Sequence, residues 1–465
     1  MLFRSDENKV DELLKQELAD NDQKIVVLDD DPTGVQTVHD VSVYTDWTKE
    51  SIRNGFLEEN KVFYILTNSR GMSVNETTNA HTVIAARIAE VSKETGRDYM
   101  IMSRSDSTLR GHYPLETELL KEEAEKAGMH IDGEILCPFF KEGGRFTIDN
   151  IHYVKQGELL IPAAETEFAK DRTFGYTQSS LPEYIEEKTV GKYKADSVTC
   201  ISLADLRKQN YEAITAQLCA VHDFNKIIVN AADYCDLKVF AIALYRAMKQ
   251  GKRYIFRTAA SLVRVMAGIS EQPLLQRSDM VKHETPYGGI VIVGSHTART
   301  TAQLQELLKL DNAVGVEFNS DLVLEGDEAL FAEAERCVRE EEQIIESGRT
   351  AVCYTKRRLL EVENDTKESA LMRSVKISDG VQRLVSGLSV PPAFIIAKGG
   401  ITSSDIGTRA LKVKRADVLG QILPSVPVWK TPEESRFPDT PYVIFPGNTG
   451  DETSLRRAVE ILTSK

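Results

Sequence analysis

The sequence predicts an α/β protein with two domains, each built on a mainly parallel sheet flanked by helices. Short runs rich in Val and Ile alternate with longer charged segments of helical periodicity, which is typical of parallel strands buried on both faces. The length of 465 residues suits two or three domains, and a composition of 42% apolar and 28% charged residues is ordinary for a globular protein. A sizeable buried core is therefore expected.

The chain opens with an expected amphipathic helix, because Val10, Leu13, Leu14 and Leu18 recur at helical spacing. Strands follow, and each runs from apolar residues into polar or small residues at its C-terminal end, the edge at which open α/β sheets bind ligands. In the first part of the chain the expected strands are KIVVLDD, KVFYILTNSR, DYMIMSRSD, GEILCPFF, KIIVNAAD and RYIFRTAAS.

A stretch with two prolines, mixed charge and a glycine pair follows these strands, so we place a domain boundary near residue 285. The expected domains are residues 1–284 and 285–465. The second series of expected strands is GIVIVGSHT, NAVGVEFN, TAVCYTK, AFIIAKGG, ADVLGQI and YVIFPGN. Between about residues 150 and 200 the pattern is less periodic, which indicates an excursion over the ligand cleft.

Charge and composition exclude several classes of protein. A net charge of −14, without a run of Lys and Arg interleaved with aromatics, argues against nucleic acid as a partner. The N-terminus has no apolar signal region and no apolar run is long enough to cross a membrane, so we expect a cytoplasmic protein. The six cysteines are scattered without a CxxC pair, which favours reduced, buried thiols over a disulfide scaffold or a zinc site.

Residues 29–34 read DDDPTG and directly follow the apolar run of the first expected strand. Adjacent carboxylates repel one another and resist burial. The triplet is therefore either a solvated turn, which Asp, Pro and Gly all favour, or a site where a proton, a cation or a substrate hydroxyl offsets the charge. This stretch alone leaves both interpretations open.

Two further strand ends bring acids, hydroxyls and cations to the same expected edge. SRSDSTLRGH follows the third strand and FFKEGGR follows the fourth. Their polar and small residues are Asp106, Ser107, Thr108, Arg110, Lys141, Gly143, Gly144 and Arg145. An arginine in a loop is most often solvated or in a surface ion pair, but a guanidinium at this edge could hold a carboxylate in bidentate fashion.

In the second domain, three strands run into Gly, Ser or Thr turns that precede helices. The turns contain Gly294 to Thr297, Gly399 to Thr402, and Gly447 to Gly450. A free helix N-terminus offers N–H groups and a positive dipole end to an anion, so the three turns together indicate a phosphate cradle, although each alone also fits an ordinary cap. No GxxxxGK[ST] loop and no HRD loop occur, which excludes a Walker A site and a protein-kinase cleft.

In combination these residues resemble the four-carbon acid sugar kinase family, whose members phosphorylate threonate, erythronate or 3-oxo-tetronate with ATP. The resemblance covers nearly the whole chain. Its landmarks, in order, are DDDPTG, DSTLRG, EGGR, ETEFAKD at residues 165–171, GSHTARTTAQL, GGIT and PGNTG. It implies an acid sugar on the N-terminal domain, ATP on the C-terminal domain, and transfer to the terminal hydroxyl in the cleft between them. Phosphoryl transfer of this kind also calls for Mg²⁺ to neutralise the γ-phosphate.

The resemblance also implies roles for individual residues. The nucleotide-contacting positions would be Ser295, Thr297, Gly399, Gly400, Ile401, Thr402, Gly447 and Asn448. The substrate-contacting positions would be Thr33, Gly34, Asp106, Ser107, Thr108, Arg110, Gly144 and Arg145. Because phosphoryl transfer to an alcohol needs a carboxylate that accepts the hydroxyl proton, we expect Asp31 to be the base, with Asp30 second and Asp106 in reserve. Either Arg110 or Arg145 would hold the substrate carboxylate.

The sequence departs from the family pattern at a few positions, namely Pro32, Val35, His296, Ile401 and Pro446. They bear on the subfamily more than on the reaction. Magnesium ligands are not assigned from the sequence, and a homodimer is expected only because dimers are common.

Two other functions fit parts of the sequence. DxDxT, with Asp29 as nucleophile, Asp31 as acid and Thr33 after it, matches the signature of haloacid-dehalogenase-like phosphatases, but Asp451 and Glu452 are a poor substitute for the later metal pair that such enzymes need. A non-catalytic protein with two α/β lobes that bind a sugar acid is the second alternative, because a fold does not settle a function.

Overall fold

The structure, a computed structural model, describes residues 7–358, 360, 362 and 365–464. Its strands are β1 (Lys24–Asp29), β2 (Val41–Tyr44), β3 (Val62–Leu66), β4 (Tyr99–Arg104), β5 (Gly133–Cys137), β6 (Arg145–Ile148), β7 (Ile151–Gln156), β8 (Leu159–Pro162), β9 (Thr199–Ile201), β10 (Asn225–Val229), β11 (Tyr254–Thr258), β12 (Ile290–Val293), β13 (Ala313–Phe318), β14 (Thr350–Thr355), β15 (Ile395–Lys398), β16 (Arg415–Leu423), β17 (Val426–Lys430) and β18 (Pro441–Phe445).

The helices alternate with these strands over most of the chain. They are α1 (Glu7–Ala19), α2 (Lys49–Leu57), α3 (Val74–Thr95), α4 (Leu115–Lys126), α5 (Leu181–Lys188), α6 (Leu203–Arg207), α7 (Tyr211–Cys219), α8 (Tyr234–Lys249), α9 (Ala260–Met266), α10 (Arg277–Met280), α11 (Ala298–Leu307), α12 (Asp327–Glu346), α13 (Lys367–Ser386), α14 (Gly400–Asp405) and α15 (Ser454–Thr463). None of the helices in the described ranges is both long enough and apolar enough to span a bilayer.

The chain forms two compact units. The N-terminal unit comprises Met1–Thr37 and Asp46–Glu271, and the C-terminal unit comprises Val38–Thr45 and Gln272–Lys465. The short segment Val38–Thr45, which contains β2, thus belongs to the C-terminal unit although it lies early in the chain.

The main sheet of the N-terminal unit is parallel, with the strand order β3-β1-β4-β11-β5-β10-β9. All six residues of β1 are buried, as expected for a central strand that has helices on both faces. Local sequence sets the ends of the covering helices. For example, α3 begins at a capping box formed by Ser73 and Glu76 and ends at Gly96, whose φ of 68° stops the helix.

A smaller antiparallel sheet of the N-terminal unit, in the order β6-β7-β8, forms the first part of the expected excursion. A short 3₁₀ turn, Glu167–Lys170, follows it, and α5 comes next. The side chains of Tyr176 and Tyr184 from this region lie in one buried cluster with Leu109 and Tyr113. The segment therefore packs against the loop that follows β4.

The sheet of the C-terminal unit has the order β13-β14-β12-β15-β18-β17-β16-β2. The strands from β13 to β18 in this order are parallel, whereas β17, β16 and β2 pair antiparallel at the other end. Val291, Val293, Ile396 and Val443 from its central strands belong to one buried core cluster.

The two-domain α/β class is confirmed, and every strand that the sequence predicts is present, as is the N-terminal helix α1. The sequence did not predict β2, β9, β17 or the small sheet β6-β7-β8. It also did not predict that β16 runs antiparallel to its neighbours.

Candidate active site

The triple aspartate lies at the C-terminal end of β1 and is both a turn and a charged cluster. The backbone N–H of Thr33 donates to Asp31 Oδ1 (2.8 Å), and the N–H of Gly34 donates to the Asp31 carbonyl (3.1 Å). The side chains of Asp29 and Asp30 are 2% exposed, whereas that of Asp31 is 19% exposed. Asp31 is therefore the carboxylate of the triplet that a ligand can reach.

Gly34 is required by a close approach within this turn. A Cβ atom added at Gly34 would lie 1.9 Å from Asp29 Oδ2 and 2.0 Å from Asp29 Oδ1. No side chain fits at that distance, so the backbone of Gly34 closes over the Asp29 carboxylate and covers it.

Two arginines that the sequence analysis did not single out offset the charge of the triplet. Arg70, in the 3₁₀ turn Ser69–Gly71 after β3, places Nη2 3.1 Å from Asp30 and 2.9 Å from Asp31, and Nη1 3.6 Å from Asp106. Arg104, the last residue of β4, places Nη1 3.0 Å from Asp29 and 3.4 Å from Asp30. The triplet is thus an ion-pair network.

The pKa values of the three carboxyl groups differ, because the neighbouring charges and hydrogen bonds offset the effect of burial to a different extent in each. Burial raises the pKa of Asp29 to about 7, against the pull of Arg104, and raises that of Asp30 to about 6. For Asp31, burial also raises the pKa, but the charges of Arg70 and Arg104 and the hydrogen bonds from Thr33 outweigh it, so the pKa is lowered. Asp30 Oδ2 is buried without a hydrogen-bond partner among the described residues.

Asp106, after β4, joins the same network through Arg70 and is paired on its other side with Arg110. Arg110 Nε donates to Asp106 Oδ2 (2.7 Å), and the Thr108 hydroxyl donates to the same oxygen. Despite burial, these cations and hydrogen bonds hold the pKa of Asp106 well below its usual range. Asp106 is therefore ionised, and the structure brings it together with Asp30 and Asp31.

The backbone of the DSTLRG loop is held by buried side chains of the excursion. His152 Nε2 donates to the Ser107 carbonyl (2.8 Å), Tyr176 Oη donates to the Thr108 carbonyl (2.8 Å), and Tyr184 Oη donates to the Leu109 carbonyl (2.8 Å). The Ser107 and Thr108 side chains are buried. This loop is consequently fixed in place before any ligand binds.

Arg145 and Gly144 lie at the start of β6. Gly144 has a φ of 71°, and a Cβ there would lie 2.9 Å from Lys155 Cβ, so a glycine is needed. The Arg145 guanidinium lies 5.5 Å from the ring centroid of Phe168, and the Arg110 guanidinium lies 5.1 Å from the same centroid. Phe168, which the sequence analysis did not single out, thus brings the two candidate arginines to one ring.

The three Gly, Ser and Thr turns of the C-terminal unit converge. A Cβ added at Gly294 would lie 2.2 Å from Thr402 Oγ1, one at Gly399 would lie 3.3 Å from Ser295 Cβ, and one at Gly447 would lie 3.7 Å from Ser295 Oγ. Gly399 has a φ of 118°, which favours glycine. The turns after β12, β15 and β18 therefore form one small, glycine-lined cluster.

The other predicted residues of these turns have separate roles. Thr297 caps α11 by accepting from Thr300 N (3.2 Å), and Gly400 is the first residue of α14. The Asn448 carbonyl accepts from Arg299 Nη1 (2.5 Å), and the Ile401 side chain is 73% exposed.

Three cations surround the turn cluster, and the structure gives them no carboxylate partner among the described residues. Lys398 Nζ donates to the carbonyls of Pro446 (2.6 Å) and Gly447 (3.3 Å), Arg357 Nη2 donates to the Ser295 carbonyl (2.5 Å), and Arg299 holds Asn448. Burial lowers the pKa of Lys398 to about 7, with a further contribution from Arg299. Cations grouped without anions are suited to an anionic ligand.

The sequence signals for the missed residues were weak. Arg70, Arg104 and Lys398 stand at strand ends within the predicted strand segments, and nothing in the sequence separates them from surface cations. A rule that gives weight to every charged residue at the C-terminal end of a predicted strand would have found all three. No group of three or more His, Cys, Asp or Glu side chains suited to a metal ion occurs in the described part of the chain.

Two models of protein domains match successive parts of the chain. The model of a sugar-binding N-terminal domain matches residues 25–266, and that of a nucleotide-binding C-terminal domain matches residues 290–455. None of the curated proteins compared with the chain matches it.

Solved structures match almost the whole chain at low identity. A Haemophilus influenzae protein of the DUF1537 family is 19% identical, with 94% of this chain and 100% of that chain covered and a TM-score of 0.61. A Salmonella typhimurium LT2 protein, described as a candidate tRNA synthase, is 16% identical, with 94% and 99% covered and a TM-score of 0.67. At these identities the likeness concerns the fold alone. By the domain model that matches more than half of its length, the chain belongs to the family of the sugar-binding N-terminal domain, followed here by the nucleotide-binding C-terminal domain.

Proposed function

We propose that the protein is an ATP-dependent kinase that phosphorylates the terminal hydroxyl of a four-carbon acid sugar, such as threonate, erythronate or a 3-oxo-tetronate. The observation that carries the proposal is the presence of two different sites, one in each unit. The N-terminal unit has a buried network of carboxylates and arginines at a strand edge, and the C-terminal unit has a glycine-lined cluster of turns ringed by cations.

The turn cluster suits the triphosphate of ATP. The residues that would face the phosphates are Ser295, Gly399, Gly400, Thr402 and Gly447. Ser295 and Thr402 would offer hydroxyls, and Gly399, whose N–H donates to the Phe445 carbonyl (2.9 Å), would allow a close approach of the backbone. Thr297, Ile401 and Asn448 would lie beside them. Lys398, Arg299 and Arg357 would supply positive charge that the described carboxylates do not already neutralise.

Asp31 is proposed as the residue that accepts the hydroxyl proton. It is the exposed member of the triplet, and its lowered pKa keeps it ionised at neutral pH. Arg70 and Thr33 fix the orientation of its carboxylate. Because phosphoryl transfer depends mainly on positioning and on charge neutralisation, a weak but well-oriented base is sufficient.

Mg²⁺ would accompany the ATP phosphates and neutralise their charge. In phosphotransferases this ion is usually held by the phosphates and by one or two carboxylates, so the lack of a larger ligand group in the described residues does not conflict with it. Asp31 is the member of the triplet that could meet this requirement, because its side chain is 19% exposed, whereas those of Asp29 and Asp30 are 2% exposed.

The phosphatase alternative is not supported by the geometry of Asp29. A nucleophile must reach the phosphorus of its substrate, but the Asp29 side chain is 2% exposed, paired with Arg104 and covered by Gly34. The non-catalytic alternative makes a different prediction, since a binding protein would not consume ATP.

The test is a coupled ADP-release assay with Mg-ATP and D- and L-threonate, D- and L-erythronate and the 3-oxo acids, followed by mass spectrometry of the product. We expect ADP release that depends on one acid, with a mass gain of one phosphoryl group on that acid. ATP binding without turnover on any acid would refute a four-carbon acceptor. Release of phosphate from a phosphorylated acid without ATP would favour the phosphatase.

A further inference from the structure

We propose that Arg145, placed against the ring of Phe168, binds the carboxylate of the acid substrate, and that Arg110 does not. The proposal rests on the proposed function, because it takes the substrate to be a hydroxy acid that binds the N-terminal unit. It assigns to one residue a role that the sequence left open between two.

Arg110 is already neutralised. Its Nε atom donates to Asp106 (2.7 Å), and its Nη1 atom lies 3.9 Å from a second carboxylate, that of Asp171. Asp106 is in turn shared with Arg70 (3.6 Å). A ligand carboxylate that bound Arg110 would compete with Asp106 for the 2.7 Å contact. It would also leave the buried Asp106 carboxylate with less positive charge beside it, which costs stability.

Arg145 is not neutralised. Among the described residues it makes no ion pair with a carboxylate, and its one hydrogen-bond acceptor is the carbonyl of Gly143. Its Nε atom is buried and has no hydrogen-bond partner. Burial lowers the pKa of Arg145, as expected for a cation that has lost water without gaining an anion.

Phe168 stabilises the buried guanidinium of Arg145 in the absence of a carboxylate partner. Among the charges that act on the pKa of Arg145, Asp106 has the largest raising effect and Arg110 has the largest lowering effect. The aromatic ring gives the Arg145 guanidinium a favourable cation–π contact at 5.5 Å, so the side chain has a place to rest other than against Asp106. The fork of N–H donors on an arginine in such a place suits the two oxygens of a carboxylate.

The charges of this network also determine the orientation in which the substrate would bind. Asp31, Arg70, Asp106 and Arg110 alternate in sign and are linked by contacts of 2.7 to 3.6 Å. An unpaired cation at Arg145 and an accessible carboxylate at Asp31 remain at different places in the same unit. A molecule with an anion on one end and a hydroxyl on the other matches this polarity, whereas an uncharged polyol matches only half of it.

The test is isothermal titration of the full-length protein, without nucleotide, with D-threonate and D-erythronate and with the uncharged polyol erythritol. Arg145→Met should weaken binding of the acid by about 10- to 100-fold and leave erythritol unchanged, because it removes only the charged contact. Arg145→Lys should retain part of the acid preference. The matched control is Arg172→Met, an exposed arginine of the same segment, which should bind as the wild type does.

Phe168 and Arg110 are tested in the same assay. Phe168→Leu should weaken acid binding by about 3- to 10-fold, and Phe168→Tyr should restore it. Arg110→Met should lower the melting temperature, since Asp106 loses its closest charged partner, but should weaken acid binding less than Arg145→Met does. Acid binding by Arg145→Met within twofold of the wild type, or a larger loss for Arg110→Met, would overturn the assignment.

Failure of the inference differs from failure of the proposed function. A wild-type protein that phosphorylates the acid while Arg145→Met binds it normally refutes the inference alone. A wild-type protein that binds the acid through Arg145 and consumes no ATP refutes the kinase and leaves the inference standing.

Discussion

Replacement of Gly34 by alanine should inactivate the candidate active site, although it adds only one uncharged methyl group. The new Cβ would fall 1.9 Å from Asp29 Oδ2, whereas side-chain carbons in proteins essentially never approach other atoms closer than 3.0 Å. Either the Asp29 carboxylate must leave Arg104, its partner at 3.0 Å, or the turn that carries Asp31 must move by about 1 Å. Overpacking of this kind costs about 1–3 kcal/mol, and a lost charged hydrogen bond costs about 1.5–3 kcal/mol.

The two costs overlap, because relief of the clash breaks the bond, so we expect about 3 kcal/mol of lost stability. For a unit of this size that corresponds to a melting temperature lower by about 6–12 °C. Displacement of Asp31 by about 1 Å should lower kcat by about 100-fold.

The assay compares thermal melting and acid-dependent ADP release for the wild type, Gly34→Ala and Gly71→Ala. Gly71 is the matched control, since a Cβ there meets no atom within 4 Å, and its substitution should change stability by less than about 0.5 kcal/mol. If Gly34→Ala melted and turned over like Gly71→Ala, the close approach of Gly34 to Asp29 would not hold the turn, and our account of the triplet would be wrong.

Three further predictions concern other parts of the chain. Asp31→Asn should lower kcat by about 10²- to 10⁴-fold with the KM for ATP within twofold of the wild type, and a near-normal kcat would exclude Asp31 as the base. Because the pKa of Lys398 is lowered to about 7, its ammonium is lost as pH rises through 7, so ATP binding should weaken from pH 6 to pH 8 more in the wild type than in Lys398→Arg, whose guanidinium stays charged, as titration calorimetry can measure. Glu341 is fully buried and its pKa is raised well above 4.5 by burial, so the folded state prefers the protonated acid and loses stability as pH rises above 4.5 toward that raised pKa. Melting temperature should therefore fall more steeply between pH 5 and pH 8 in the wild type than in Glu341→Gln, and parallel curves would contradict the assignment.

The sequence predicted the parallel strands well because a strand buried on both faces must be apolar along its whole length. Val27 and Ile292 sit in such strands, and their neighbours carry the same signal. The edge strands were missed for the opposite reason. β8 exposes Leu159 and Leu160, and β9 is only three residues long, so neither shows the continuous burial that marks a central strand.

The candidate site was predicted in part for a related reason. Motifs identify residues that are unusual in type or spacing, and three successive aspartates are unusual. The arginines that offset the charge of the aspartates are not unusual, because Arg70 and Arg104 resemble any charged residue near a strand end. Phe168 could not be predicted at all from spacing, since its contact with Arg110 and Arg145 depends on how the excursion folds back.

The early segment Val38–Thr45 affects both the folding of the chain during synthesis and the behaviour of the C-terminal unit when it is expressed alone. Ser42 of β2 accepts a hydrogen bond from Arg415, 373 residues later, so the newly synthesised N-terminal unit leaves the ribosome with this strand lacking its partner β16. A protein expressed from Gln272 onward would lack β2 and leave the backbone N–H and C=O groups of β16 open to strand addition from other chains. A cut at the boundary between the units should therefore give an aggregating C-terminal fragment, which a synthetic peptide of residues 38–45 would rescue in trans.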